Sequence, residues 1–352
     1  MKKILFFLKA LLGIIIGTVI FAVVLILYLT VREYRPKNIE PVTIRSGENR
    51  TLSSGRLIHI LTWNIGYAAL GASEDFFMDG GKMVRPKSKK TVEENIAGIL
   101  DFITGINADI VLLQEVDINS NRSFRINQSD FLSVNTAYSS AFAHNYRCDF
   151  VPFPIPPIGK VESGLLTLNV FAPSESVRIS LPVPFTWPVK TANLKRCLLV
   201  ERIPVENKEL VLVNFHLEAY ESGAGREAQT KILIDFLRAE YAQGNYCIAG
   251  GDFNQTFPGA SEQYPLLNTE YFIPGTLSPE LLPAGWDFVT DSGTPTARLN
   301  DKPYSGENQH YVIDGFILSP NIALHSVKTA DLGFLYSDHN PVELEIMLEN
   351  EE

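Results

Sequence analysis

Hydrophobic residues along this chain form one long uninterrupted block followed by several short runs. The block, Ala10 to Val31, reads ALLGIIIGTVIFAVVLILYLTV, carries no charge and is bracketed by Lys9 and Arg32. A helix of about 20 apolar residues crosses the hydrocarbon core of a bilayer, so residues 1–31 are expected to form an N-terminal transmembrane helix. A cleaved signal peptide has a shorter apolar region, about 7–15 residues, ending at small residues. No such site follows this run, which favours a retained anchor. Basic residues balance across it, with Lys2, Lys3 and Lys9 before and Arg32, Arg35 and Lys37 after, so charge decides orientation weakly. A single N-terminal anchor ahead of a large domain leaves that domain outside the cytoplasm, and this extracytoplasmic placement is the expected topology.

Residues 32–55 are polar and hold Pro36, Pro41, Gly47, Ser53, Ser54 and Gly55, the pattern of a linker. Residues 56–352 then read as one folded domain. Its short apolar runs are LIHILTWN (57–64), DIVLLQE (109–115), LVLVNFH (210–216), YCIAGGDFN (246–254) and YVIDGFIL (311–318). They are aliphatic, β-branched and of strand length, which suits strands buried on both faces. Thr91-x-x-Glu94 reads as a capping box ahead of Val92, Ile96, Ile99 and Ile103 at helical spacing. Residues 226–240 predict a second amphipathic helix. Strands alternating with helices imply an α/β fold.

The composition narrows the function. With 45% hydrophobic and 20% charged residues the 352-residue chain is well supplied for a core. A net charge of -10 disfavours a broad basic face for duplex nucleic acid. It leaves open an acidic metal site acting on phosphates, because a divalent cation inverts the local sign. Cys148, Cys197 and Cys247 form no CxxC pair and no zinc-like spacing, so three unpaired thiols are expected. Gly80-Gly81 lacks the GK[ST] of a phosphate-binding loop.

Polar residues collect where the apolar runs stop: Asn64, Glu115, His216, Asp252 and Asn254. Asp314 lies within its run, and Asp338-His339 precedes Pro341. If the runs are neighbouring strands, their ends meet at one rim. So many carboxylates repel one another unless a cation or shared protons compensate. Oxygen ligands of this kind suit Mg2+, with Mn2+ as the alternative. Each residue alone has an ordinary reading, as a strand-end hydrogen bonder, a turn or a bulge. His59 alternates with apolar neighbours and reads as structural. His144, His310 and His325 stay unassigned. Arg122 could reach a phosphate, although a solvated loop arginine is the commoner case.

In this order, TWN (62–64), LLQEVD (112–117), NFHLEAY (214–220), GGDFN (250–254), VIDGFILSP (312–320) and SDHNPV (337–342) resemble the endonuclease/exonuclease/phosphatase superfamily. The resemblance spans about residues 57–348 and makes 56–352 its catalytic domain. It implies a four-layered α/β sandwich, with two packed mixed β-sheets flanked by helices, and metal-dependent hydrolysis of a phosphoester. Carried over by position, it implies Glu115 as the principal Mg2+ ligand. Asn64 would orient the metal or its water, and Asp338 would sit near the metal. Asp252 would position the attacking water, Asn254 would donate to phosphoryl oxygens, and His216 would contact the scissile phosphate. His339 would act as base or phosphate clamp, with Asp314 fixing its tautomer. Ser163-Gly164 and Arg196 fall where the family has similar residues and take a supporting role at most.

The segments VPFPIPPIG (151–159) and LPVPFTWPV (181–189) are rich in Pro, Phe and Trp. Proline keeps them out of sheet interiors. Beside an anchor they suggest contact with the lipid interface, while packing on the domain flank is an equal alternative. Anchor, acidity and loops together favour a membrane lipid or small extracytoplasmic phosphoester as substrate, nearer the sphingomyelinase branch than the abasic-site nucleases. A membrane-anchored surface nuclease is the alternative, and a catalytically silent binding module the reading from another class.

Overall fold

A computed structural model describes residues 2–220 and 223–349. Met1, at the start of the expected anchor, residues 221–222, and residues 350–352, at the end of the expected catalytic domain, lie outside the described residues. Two seven-stranded mixed sheets face each other. In spatial order the first holds β1 (Ile39–Pro41), β7 (Glu175–Ser180), β8 (Cys197–Val205), β9 (Lys208–His216), β10 (Tyr246–Asp252), β12 (Asp314–Leu318) and β11 (Asp287–Val289). The second holds β13 (Ile322–Thr329), β14 (Val342–Leu348), β3 (Leu57–Asn64), β4 (Ile110–Asp117), β6 (Gly159–Asn169), β5 (Ser139–Val151) and β2 (Ile44–Arg45). Helices α2 (Lys89–Ile106) and α4 (Ala224–Tyr241) cover the outer faces, giving the four expected layers. Helix α1 (Lys2–Val31) precedes them, and α3 (Gln128–Val134) is short.

Alternation within the buried strands explains why their sequences are continuously apolar. In β10, Tyr246 and Ile248 join the core between the sheets, whereas Cys247 and Ala249 join the cluster holding Leu233 and Leu237 of α4. In β9, Leu210 and Leu212 face inward while Val211 and Val213 face α4. Successive side chains point to opposite faces, so a strand covered on both sides must be apolar throughout. Gly250 lets the sheets approach: a Cβ there would lie 2.7 Å from both Leu112 of β4 and Phe316 of β12. All three cysteines are free and buried, as expected.

Three local expectations change. Helix α2 begins at Lys89, and Ser88 caps it by accepting from the Thr91 amide at 3.2 Å, so Thr91 lies inside the helix it was expected to cap. Ser88 satisfies the same kind of orphan donor one turn earlier. The run 311–318 is not one strand. Residues His310–Tyr311 pair with Ala297–Arg298, and only Asp314–Leu318 joins the sheet. The break occurs because Thr296 Oγ1 takes the amides of both Ile313 and Asp314, at 2.9 and 3.1 Å. Residues 32–55, which read as a linker, supply an edge strand to each sheet: β1 pairs with β7, and β2 with β5.

Polar side chains also bridge the two sheets. Gln114 of β4 donates to Asn214 of β9 at 2.9 Å, and Asn169 of β6 donates to Glu201 of β8 at 3.0 Å. Burial pushes the Glu201 carboxyl up to about 7, and the Asn169 hydrogen bond offsets this only in part. A carboxyl whose pKa is higher folded than unfolded binds more protons in the native state. Stability therefore falls as pH rises from about 4.5 to about 7 and is level outside that window. In Glu201→Gln that fall, up to about 3 kcal/mol, should vanish. Denaturant melts of the two proteins between pH 4.5 and 8 check this, and parallel pH profiles would refute it.

Candidate active site

One rung of the first sheet sets most of the site. Asp252 ends β10 and is in register with His216, the last residue of parallel β9, and with Asp314, the first residue of antiparallel β12. Three separate strand ends thus deliver a carboxylate, an imidazole and a second carboxylate side by side. The second sheet contributes from the matching edge. Asn64 ends β3 and pairs with Gln114 of β4, next to Glu115. The register of β4 against β6 shifts between Leu113 and Val116, and Glu115 sits there at φ 55°. A non-glycine residue at positive φ is strained. Tyr67 (φ 43°) and Asn254 (φ 51°) share this feature, and all three line the same cavity.

The loop carrying Asp338 and His339 is fastened to β3. Ser337 Oγ donates to the Asn64 carbonyl at 2.8 Å, and Trp63 Nε1 donates to the His339 carbonyl at 2.9 Å. His339 Nδ1 lies 2.9 Å from Asp314 Oδ2. An ionised carboxylate only accepts, so this pair fixes the proton on Nδ1 and turns Nε2 toward Asp252 Oδ2, 3.9 Å away. His216 Nε2 lies 3.3 Å from the same Asp252 oxygen, and its Nδ1 is 4.0 Å from Glu115 Oε1. Asn64 Nδ2 sits between the two carboxylates, 3.0 Å from Asp252 and 3.5 Å from Glu115. Its Oδ1 accepts from the Gly66 amide at 3.0 Å, so Asn64 presents nitrogen rather than oxygen to the acids. The Asn254 side chain donates to the Leu217 carbonyl at 2.9 Å, which leaves one amide hydrogen for a ligand.

All eight residues expected from the sequence therefore converge. Seven line one cavity of about 600 Å3, and Asp314 stands behind His339. Sequence reasoning undervalued Arg122. It lies half-buried over the Tyr67 ring, 3.6 Å from its centroid, forms two hydrogen bonds to Asp117, and reaches within 4.0 Å of Glu115. Tyr67 and Arg298 also line the cavity and went unnoticed, because neither lies in an apolar run or a motif. Ser163 accepts from Arg122 at 3.3 Å, and Arg196 bonds the His216 carbonyl at 3.1 Å. The remaining histidines lie elsewhere. His59 and His144 each sit 3.4 Å from a glutamate, and His310 stacks on Phe334.

The electrostatics are those of a site short of positive charge. Burial and the adjacent Asp314 raise Asp252 to about 7. Burial raises Asp338 to about 6, with Glu115 adding to the rise against the opposing pull of His339. His216 is held well below its ordinary value by burial and then by Arg196. Burial would lower His339 too, but the Asp314 carboxylate overrides it and lifts His339 to about 10. The donor set fits a hard divalent cation: Glu115 and Asp338 offer oxygens, and no thiol lies among the cavity residues. Among the described residues, Asp252, Asp314 and His339 bring ligand-type atoms within 4.8 Å of one another, a group that includes the hydrogen-bonded His339–Asp314 pair.

The model of the endonuclease/exonuclease/phosphatase family matches residues 61–339. The chain belongs to that family. Members hydrolyse phosphoesters with a divalent metal ion, and this protein is a metal-dependent phosphoric ester hydrolase. Among solved structures, an endonuclease/exonuclease/phosphatase from Beutenbergia cavernae aligns with TM-score 0.57 at 18% identity, covering 84% of this chain and 72% of that one. A family protein from Bacteroides vulgatus aligns with TM-score 0.51 at 16% identity, over 84% of this chain and 100% of that one. The D. rerio TDP2 complex with a single strand DNA product gives 0.51 at 15% identity, over 82% and 98%. At these identities the likeness is one of fold. No curated protein matches significantly.

In metal-free family protein, His339 should remain cationic through neutral pH because Asp314 faces it. Asp314→Asn should bring its titration down to the ordinary value of about 6.5 or below. Imidazole 15N shifts followed against pH measure this, and an unmoved titration in the variant would exclude the pairing as the cause.

Proposed function

We propose that this protein is a membrane-anchored, Mg2+-dependent phosphodiesterase or phosphatase acting on a membrane lipid or small extracytoplasmic phosphoester. The observation carrying this reading is the meeting of Glu115, Asp252, Asp338 and His339 in the wall of a single cavity, with Asp314 paired to His339 behind it. Residues 1–31 serve as the anchor, 32–55 join it to the domain, and 56–352 form the catalytic unit. Helix α1, 30 residues with an uncharged block from Ala10 to Val31, is long and apolar enough to cross a membrane. The catalytic domain then stands outside the cytoplasm as a single-pass protein.

Glu115 and Asp338 would hold the cation, and Asn64 spaces Glu115 from Asp252. When bound, Mg2+ (Mn2+ in its place) neutralises charge developing on the phosphoryl oxygens. Asp252 positions the water for in-line attack on phosphorus. Asn254 donates its free amide hydrogen to a phosphoryl oxygen, and neutral His216 contacts the scissile phosphate. His339, oriented by Asp314, presents Nε2 to the reacting group, as phosphate clamp while cationic, or as base if a bound cation beside it lowers its proton affinity.

A hydrolysis screen tests this reading: full-length protein against phospholipids, single- and double-stranded DNA, and sugar phosphates. EDTA should abolish turnover and Mg2+ restore it, and activity indifferent to chelation contradicts the metal. Glu115→Gln and His339→Ala should each lower kcat/KM by about 10²–10⁴-fold with the thermal midpoint nearly unchanged. Cleavage of DNA with steep salt dependence and no lipid turnover would favour the surface-nuclease alternative.

A further inference from the structure

The cavity that holds the catalytic residues is not closed off from the anchor. Ile26 and Leu29 of α1 line it, together with Val151, Phe153, Leu194 and Val189 of the domain. Leu29 is buried, and it packs with Cys148, Val151 and Val161, flanked by Leu25, Tyr146 and Ile158. Polar contacts hold this end of the helix to the domain. Arg32 bonds Asp149 at 2.7 Å, Trp187 Nε1 donates to Thr30 at 3.0 Å, and Lys195 lies 3.3 Å from Glu33. The helix end is therefore a wall of the cavity rather than a tether beside it.

Depth along the helix gives this wall its meaning. At 1.5 Å per residue, Ile26 lies about 9 Å before Arg32, the first charge after the apolar block. That is the depth at which headgroups give way to acyl chains. Around the same opening the Pro-rich loops expose Phe153 (66%), Ile155 (95%) and Trp187 (57%), and Trp is favoured at this interface. The cavity lining thus combines carboxylates and imidazoles with apolar residues of α1 and its neighbours, and with α1 as the proposed anchor those apolar residues lie at bilayer depth.

We infer that α1 forms part of the substrate site, and that a hydrocarbon chain of a membrane phospholipid lies between Ile26–Leu29 and the 151–158 and 185–189 loops while its phosphoester reaches His339 and Glu115. This rests on the proposed hydrolase reading and narrows it to substrates drawn directly from the membrane. Such a site discriminates by the tail: a phosphoester without a long chain forfeits the burial that those apolar residues supply.

The test uses full-length protein in phosphatidylcholine/phosphatidylglycerol vesicles doped with a phosphatidylcholine carrying a diazirine near one acyl end. Photolysis should label Leu194 and Ile158 as well as the bilayer-facing residues of α1 between Phe6 and Phe21. Leu29→Trp or Ile26→Trp should remove most of the cavity label and spare the α1 label. Normal α1 labelling with no cavity adduct overturns the inference, whether or not the protein turns over. The same two variants should lower kcat/KM on vesicle phospholipid about tenfold, the equivalent of about two methylenes of lost burial. On bis(4-nitrophenyl) phosphate, which has no chain to bury, the loss should be clearly smaller, so that the ratio of vesicle to soluble-diester kcat/KM falls. Equal losses on both substrates, or turnover of the soluble diester with no phospholipid cleaved, also overturns it. Loss of all phosphoester hydrolysis in the wild type would instead refute the hydrolase reading, and the adducts would still decide the tail site.

Discussion

The structure depends on placing several acids in one low-dielectric pocket and keeping them tolerable there. Glu115 comes from the register shift in β4, Asp252 and Asp314 from strand ends and Asp338 from a loop, and burial raises Asp252 and Asp338 toward neutrality. Uncompensated, such a cluster opposes folding. The fold supplies part of the compensation through His339 on Asp314 and the Asn64 amide between two carboxylates. The rest is the natural place of a divalent cation, whose binding and the phosphate's then follow from one electrostatic deficit.

Holding that cluster is what the scaffold is built for. Continuous apolar strands fix the sheets face to face, and Gly250 allows their close approach. Gln114–Asn214 joins the sheets just behind the rim, so the edges bearing Asn64 and His216 cannot slide independently. The loop of Ser337 to Asn340 is fastened at Asn64 and Trp63. Strain gathers where the site needs it, with Glu115 and Asn254 both in the left-handed region beside the cavity.

Helix α1 and the folded domain are physically one unit. Residues 39–45 add an edge strand to each sheet, and the last turn of α1 packs into the cavity wall. Tethering alone would leave the opening of the site free to point anywhere. Docking fixes the height of that opening relative to the apolar helix.

The sequence by itself determined the α/β class, placed strands in its apolar runs, although only 314–318 of the run 311–318 joins the sheet, and singled out the eight polar residues, because covered strands demand nearly unbroken apolar runs and most of those eight lie where the runs stop. It also marked the apolar helix by length. It could not reveal the strands at residues 39–45, since two- and three-residue edge strands carry no periodicity. Nor could it reveal the role of Arg122, whose burial depends on Tyr67 and Asp117 meeting it across loops. Only the tertiary structure decided that β9, β10 and β12 share one rung and that α1 borders the site. Both are matters of register and docking between segments far apart in the chain, where no local pattern of residues constrains distance.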